Sequence, residues 1–160
     1  MNTFGLNIIL AIAWVAFTGS VSLTGLITGF AIGYGALWLI QPLIGTSTYF
    51  TRVTAWIKLI IMFHYELVLS SLEVAVDVLT PRHRARPSII EMPLDVKTDT
   101  GILLVTNLIS LTPGTLSLDV SEDRKTLMIH AMFADDHEAI LSNLKSGMER
   151  WVIEAVEGAT

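Results

Sequence analysis

Residues 4–51 read FGLNIILAIAWVAFTGSVSLTGLITGFAIGYGALWLIQPLIGTSTYFT, and this stretch decides the fold class. It holds no Asp, Glu, Lys, Arg or His, and the first charged side chain of the protein is Arg52. A soluble domain carries roughly a quarter of its residues charged, spread along the chain. An uncharged run of this length cannot cover a water-facing surface and is too long for one core helix, so it points to membrane insertion. Phe4 to Phe17 is almost wholly apolar, Thr18-Gly19-Ser20-Val21-Ser22 interrupts it, and Leu23 to Ile40 is apolar again. Gln41-Pro42 closes the second segment, because proline does not easily continue a helix. The pattern predicts a helical hairpin with a tight polar turn, its limbs over about 4–18 and 23–41. The first limb, ~16 residues, rises ~24 Å; it spans with its ends in the headgroups or forms a re-entrant limb. A signal peptide would need a basic n-region, which is absent, and would not be followed at once by a second apolar segment.

The remaining composition sets limits. The 160 residues are 52 % hydrophobic and 16 % charged, with mean hydropathy +0.60. Fifteen acidic against ten basic residues give a net charge of −5, which argues against a nucleic-acid partner. There is no cysteine, so disulfides, thiolate nucleophiles and Cys-ligated metal are excluded. Charge is distributed in three zones: neutral over 1–51, +2 over 52–87 and −7 over 88–160.

On the second limb Gly25, Gly29 and Gly33 recur every four residues. Such a small-xxx-small face lets another backbone approach closely in lipid, either the first limb of the same chain or a partner subunit. Residues 43–52 form a polar linker in which Tyr49 and Phe50 suit a membrane interface. A third helix is predicted over about 53–79. Its first half is strongly apolar except for Lys58; its second half carries His64, Glu66, Glu73 and Asp77. At 100° per residue Glu66, Ser70, Glu73 and Asp77 share an arc of about 60°, opposite Leu67, Leu69, Leu72, Val76 and Leu79. Three readings are open. The helix leaves the bilayer with its acidic stripe in water; or Lys58, His64 or Glu66 sits at membrane depth, facing a partner or a water-filled path; or the whole helix lies flat at the interface. The run Ala55 to Phe63 favours a tilted span.

Arg82, His83, Arg84 and Arg86 follow, a basic cluster that places this end on the cytoplasmic side and suits anionic lipid headgroups. With three spans, the N-terminus lies outside. The expected division is therefore a membrane domain over 1–80, a basic linker over 81–87 and a cytoplasmic domain over 88–160.

The last part reads as a small α+β unit. Ile89 to Val96 is a strand whose Pro93 suggests an edge. Asp99 caps a helix over about 100–111, apolar nearly all round and too short to span. One side of it is expected under a sheet and the other under the membrane portion or a neighbour. Thr112-Pro113-Gly114-Thr115 stops that helix, and its backbone amides either begin the next strand or receive an anion. Leu116, Leu118 and Val120 alternate with polar residues, the period of a half-buried strand. Glu122-Asp123 is the turn, which places His130 opposite Thr115 on the return strand. Asp135 with Glu138 resembles a capping box ahead of a helix burying Ile140, Leu144, Met148, Trp151 and Val152. The order β-α-β-β-α is a ferredoxin-like split βαβ lacking its last strand. The fold class is thus membrane α-helical, with three N-terminal hydrophobic helices, plus a small cytoplasmic α+β domain.

No catalytic motif for nucleotide, metalloprotease or hydrolase chemistry is present. The histidines at 64, 83, 130 and 137 show no metal-ligand spacing. No enzyme activity, cofactor or metal is expected, and a polytopic protein of this form works by assembly with others.

The stretch Asn107-Leu108-Ile109-Ser110-Leu111-Thr112-Pro113-Gly114-Thr115-Leu116-Ser117, followed by Thr126-Leu127-Met128-Ile129-His130-Ala131, resembles the E-type subunits of Mrp-type Na+/H+ antiporters. Arg86-Pro87, Leu94-Asp95-Val96-Lys97-Thr98-Asp99 and Glu66 extend the resemblance over essentially the whole chain. One departure is Tyr65, where many relatives have Lys before the Glu. The resemblance implies membership of a multisubunit complex in a bacterial or archaeal cytoplasmic membrane that exchanges sodium for protons. It implies other hydrophobic subunits and membrane lipids as partners. The E-type component looks like an assembly or gating element bordering a cation path rather than the main proton channel. The candidate polar residues for such a path are Lys58, His64, Glu66 and Glu73. Asn107, Thr112, Pro113, Gly114, Thr115 and His130 form the family motif, and Arg82, Arg84 and Arg86 the lipid anchor. The alternative is a self-assembling membrane anchor or sensor whose cytoplasmic domain binds a soluble partner, with the glycine face pairing copies of the chain.

Overall fold

The structure is a computed structural model that describes residues 3–19, 21–44, 47–81 and 85–158. It divides into two compact units, Met1–Thr51 and Arg52–Thr160.

The first unit holds α1 (Thr3–Thr18), α2 (Leu23–Ile44) and the opening turn of α3 (Thr48–Leu79). α2 starts where Ser22 Oγ accepts the Gly25 amide at 3.0 Å, an N-cap bond. It runs through Pro42 to Ile44 rather than stopping at Gln41. Proline in the last turn forgoes its amide-to-carbonyl bond and crowds the carbonyl four residues back, and the helix ends two residues later. α3 likewise begins at Thr48, five residues earlier than expected, because Ser47 Oγ accepts the Tyr49 amide at 3.2 Å. Tyr49 and Phe50 are therefore helical, and both are buried. They pack with Tyr34, ring centroids 5.2–5.8 Å apart.

The glycine face packs within the chain. A Cβ on Gly29 would stand 2.9 Å from Ala11 O and from Trp14 Cβ of α1, and Asn7 Oδ1 occupies the space that a Cβ on Gly33 would need. Gly25 is buried on the same side. Asn7 is fully buried, and its Nδ2 donates to the Tyr49 hydroxyl at 2.7 Å. In a hydrocarbon setting that bond removes a polar group from lipid and ties α1 to the start of α3.

The second unit contains the rest of α3 and an α+β domain. That domain comprises β1 (Ser88–Pro93), α4 (Asp99–Leu111), β2 (Thr115–Val120), β3 (Thr126–Ala131) and a C-terminal helical run from His137 to Glu157. The run consists of α5 (His137–Leu144), a π-helical turn over Lys145–Glu149, α6 (Arg150–Val152) and a second π-helical turn over Ile153–Glu157. The sheet order is β1-β3-β2, with β3 antiparallel to both neighbours. Edge strand β1 ends at Pro93 instead of Val96. Leu94 N donates to Lys125 O at 2.7 Å, so the alternation of the ladder turns the donorless Pro93 nitrogen away from β3. The core joins Met92, Val105, Ile109, Leu127, Ile129 and Val152, all essentially inaccessible, and α3 contributes Leu59 to it. Each such side chain contributes ~1.5–3 kcal/mol on burial.

Three local expectations are corrected. His130 faces Leu116, and Thr115 faces Ala131, because the hairpin closes two residues wider than a two-residue loop and a bulge between Ser117 and Asp119 takes one of them back. In this wider closure Ser121 N donates to Thr126 O at 2.9 Å, and Arg124 sits at φ 58°. Thr98, not Asp99, caps α4, its Oγ1 accepting the Gly101 amide at 3.2 Å; Asp99 pairs instead with Arg124. Asp136, not Asp135, caps α5, accepting the Ala139 amide at 3.0 Å. Asp135 lies 3.4 Å from Arg86 Nε.

The loop from Asp95 to Thr98 is held by two carboxylates of the C-terminal run. Glu149 is 1 % exposed, and its Oε1 accepts the amides of Asp95 at 2.6 Å and Val96 at 3.2 Å. Lys145 balances its charge at 3.3 Å. Burial disfavours the charged Lys145 ammonium, but the hydrogen bonds and charges of Asp95 and Glu149 outweigh it and raise its pKa. Glu157 Oε1 accepts the amides of Lys97 and Thr98, both at 2.8 Å. Burial pushes the Glu157 pKa up, and these bonds overcome that push, leaving it below the ordinary value.

Two outcomes are expected. Gly29→Ala lowers the thermal stability of the detergent-solubilised protein by the equivalent of about 1–3 kcal/mol, the cost of overpacking. Gly35→Ala, whose Cβ would meet nothing within 4 Å, does not lower stability and gains about 0.5–1 kcal/mol of helix propensity; equal midpoints for both variants would refute the packing assignment. Because the folded Glu157 pKa is depressed, its stabilisation is complete above the unfolded value of about 4.3. It is lost as pH falls through the folded value. An acid titration of wild type against Glu157→Gln should therefore show the difference in unfolding midpoint vanishing below that window.

Candidate functional site

Two features expected separately meet in one cleft of the second unit. Glu66, Ser70 and Glu73 of α3 line it on one side, and Thr112, Pro113, Gly114 and Thr115 on the other. Its volume is about 220 Å³, with Phe133 and Met148 among the apolar walls.

The turn is built from its residue types. The Thr112 amide reaches Ile109 O at 3.2 Å, and its hydroxyl donates to Leu108 O at 2.9 Å, which ends α4. Pro113 cannot extend the helix. Gly114 sits at φ +92°, in the region that favours glycine. The Thr115 hydroxyl donates to Ile109 O at 2.7 Å and its amide to Thr112 O at 3.2 Å. Gly114 O accepts from Met132 N at 2.7 Å, which joins the turn to the end of β3. The amides of Thr112 and Thr115 are thus engaged inside the turn, which removes those donors from the anion reading. What faces the cleft carries negative charge from Glu66, half-buried, and Glu73, exposed. A larger cleft of about 430 Å³ continues along α3 past Leu69, Leu72, Val76 and buried Asp77 to Phe133 and Asp135.

The other candidate residues lie elsewhere. Lys58 Nζ is 2.7 Å from Glu154 Oε2, and Arg150 Nε is 3.1 Å from the other oxygen. The hydrogen bond from Lys58 leads the lowering of the Glu154 pKa, burial opposing it and Arg150 adding to it. Lys58 is thus committed to an ion pair within the unit. His64 is exposed and its Nδ1 lies 2.7 Å from Ile60 O on its own helix, which makes that nitrogen the donor. Asn107 Nδ2 donates to Leu103 O at 2.7 Å, another bond within one helix. His130 is half-buried on β3 between Ile89 and Leu116. The Arg86 backbone pairs with Met132 and Ala134. Arg82 and Arg84, with His83, lie outside the described residues. Gly29 and Gly33 are occupied by α1, which takes that part of the face from the partner-docking reading.

Glu149 and Glu157 do not stand out in the sequence. A glutamate on an otherwise amphipathic helix looks solvated, and only the path of the β1–α4 loop shows that it is buried. Asn7 has a signal, an amide-bearing side chain inside an apolar run. Among the described residues no group of three or more His, Asp or Glu is placed to hold a metal ion.

The family described as a Na+/H+ ion antiporter subunit matches residues 7–155. The E-type subunit of the Na+/H+ antiporter from Alkalihalophilus pseudofirmus is 35 % identical over 152 residues, covering 95 % of this chain and 96 % of that protein. Its counterpart from Bacillus subtilis is 34 % identical over 149 residues, covering 93 % and 94 %. Two solved structures share the fold. A chain of the Mrp complex from Dietzia aligns at TM-score 0.50 and 22 % identity, covering 64 % of this chain and 94 % of that one. A chain of the membrane-bound sulfane sulfur reductase, an archaeal respiratory membrane complex, aligns at TM-score 0.55 and 24 % identity, covering 96 % and 97 %. The matches to the curated relatives span nearly the full length of the chain and of those relatives, and this protein belongs to the family of E-type subunits of Na+/H+ antiporters.

Proposed function

We propose that this chain is an accessory, structural subunit of a multisubunit cation/proton antiporter. It supports assembly with other hydrophobic subunits in the cytoplasmic membrane, and its Glu66–Glu73 cleft borders a cation path. The observation that carries the reading is the likeness to E-type antiporter subunits over 95 % of the chain. The apolar helices support the membrane placement: α2 and α3 are long and apolar enough to cross a bilayer, and α1 is a shorter apolar helix. On this reading residues 1–80 are the membrane-associated part, 81–87 a basic linker at the headgroups and 88–160 a cytoplasmic domain. The strand order and the split of β1 and β2 around β3 support the ferredoxin-like description of that domain. The basic cluster at 82–86 supports its cytoplasmic side. Ion movement needs no catalytic chemistry from this chain, which serves as a transporter component. The negative charge of Glu66 and Glu73 concentrates cations at the cleft.

Two outcomes test the proposal. Glu66→Gln removes a charge and keeps the shape; sodium-driven proton movement in everted vesicles should fall several-fold while the purified complex keeps all its subunits. Unchanged antiport would remove Glu66 from the path, and loss of subunits would make it structural. Exchanging charges in Lys58→Glu with Glu154→Lys should restore the complex yield lost in either single variant, the signature of a direct pair. A double variant no better than the singles would sink the assignment.

A further inference from the structure

We infer that α3 does not cross the bilayer: it lies in the plane of the cytoplasmic leaflet, its apolar side in the lipid, with the α+β domain held against its other side. The inference rests on the membrane reading above and deepens it by locating the lipid boundary.

The first observation is an inverted amphipathic pattern. At 100° per residue, Ala55, Leu59, Glu66, Glu73 and Asp77 fall on one face of α3, with Lys58 at its margin. That face meets the domain. Leu59 is in the domain core, Lys58 pairs with Glu154, Glu66 and Glu73 line the cleft with the motif turn, and Asp77 is buried. The opposite face carries Ile57, Ile61, Val68, Ala75 and Leu79, all exposed, the large side chains among them to 51–83 %. A helix on a water-soluble domain turns its apolar stripe inward and its charges outward. α3 turns most of its charged side chains toward the domain and its large apolar ones outward, so the medium on the far side is apolar.

The second observation is length. The domain accompanies α3 from Lys58, at Glu154, to Asp77, beside Asp135. Those residues are ~29 Å apart along a helix, the whole hydrocarbon thickness of about 30 Å. Were α3 to cross over this length, the domain packed against it would lie in the hydrocarbon, with Glu66 and Glu73 of the cleft between the two membrane faces. Charged side chains at the bilayer centre are costly. Lying in the plane avoids that cost, since the charged domain stays in water.

The occupant of the apolar face is an anionic lipid surface. Its ends carry basic side chains in the sequence, Arg52 near one end and Arg82, Arg84 and Arg86 beyond the other, which match acidic headgroups. With α3 in the plane, α1 and α2 supply two crossings. The N-terminus then lies on the cytoplasmic side, opposite to the side expected from three spans.

The chain has no cysteine, so an introduced one is unique within it. Spin labels on Ile57→Cys, Ile61→Cys, Val68→Cys, Ala75→Cys and Leu79→Cys are read in the complete antiporter, reconstituted in phosphatidylglycerol-containing vesicles. Accessibility to oxygen and to a water-soluble nickel chelate should give one shallow depth along the helix, ~5–10 Å. A depth that peaks near Val68 and falls toward both ends overturns the inference in favour of a span. Labels shielded from both reagents overturn it in favour of a covering subunit or a second copy. If one variant fails to fold, the other four sites still define the profile. Independently, Thr3→Cys should react with an impermeant maleimide in everted vesicles and not in right-side-out ones; the reverse overturns the inference. An alkaline carbonate wash separates the two levels. Release of the chain defeats the membrane reading itself, whereas a retained chain with a peaked depth profile defeats only the orientation of α3.

Discussion

α3 has a charged stripe along one side and large apolar residues on the others, and such a helix persists only where each side finds its medium. The α+β domain takes the stripe. Leu59 enters its core, and Ala55 packs beside it. Lys58 meets Glu154 with side chains 45 % and 23 % exposed, a pair worth ~0–1 kcal/mol in such surroundings. Burying Leu59 contributes ~1.5–3 kcal/mol. Apolar packing therefore holds the helix, and the ion pair fixes its register. With the register fixed, Glu66 and Glu73 come to rest beside the Thr112–Thr115 turn, and the cleft follows.

The same dependence runs through the domain. The C-terminal run places Glu149 and Glu157 under the β1–α4 loop, where their oxygens replace the water that the loop amides would otherwise need. α4 then starts at Thr98 and ends at Thr112 at positions set by these bonds and by the motif turn. The first unit works differently. Close approach of α2 to α1 at Gly29 and Gly33 gives dispersion contact that larger residues would prevent. The Asn7–Tyr49 bond pairs the Asn7 amide nitrogen with the Tyr49 hydroxyl.

Membership of an antiporter subunit family gives these features a common use. A transporter component contributes surfaces, charge and position. The cleft beside the motif turn carries the charges of Glu66 and Glu73, and the outer side of α3 presents exposed apolar side chains. The glycine face, which looked available to a partner, is consumed within the chain at Gly29 and Gly33.

The sequence by itself determined the membrane character, because an uncharged run ahead of Arg52 has no soluble solution. It also determined the order of elements in the second unit, since alternation and helical periods repeat locally and need no distant partner. The turn at Pro113-Gly114 was legible for the same reason. Local patterns misjudged Pro42, Asp99, Asp135 and the register of His130, where a neighbouring hydroxyl, carboxylate or bulge moved the boundary by a few residues. Only the tertiary structure decided what the stripe on α3 faces, that Glu149 is buried, and that Gly29 and Gly33 meet α1. These are contacts between residues far apart in the chain. A helical period says which side chains share a face, whereas the packing of distant elements decides whether that face meets water, lipid or protein.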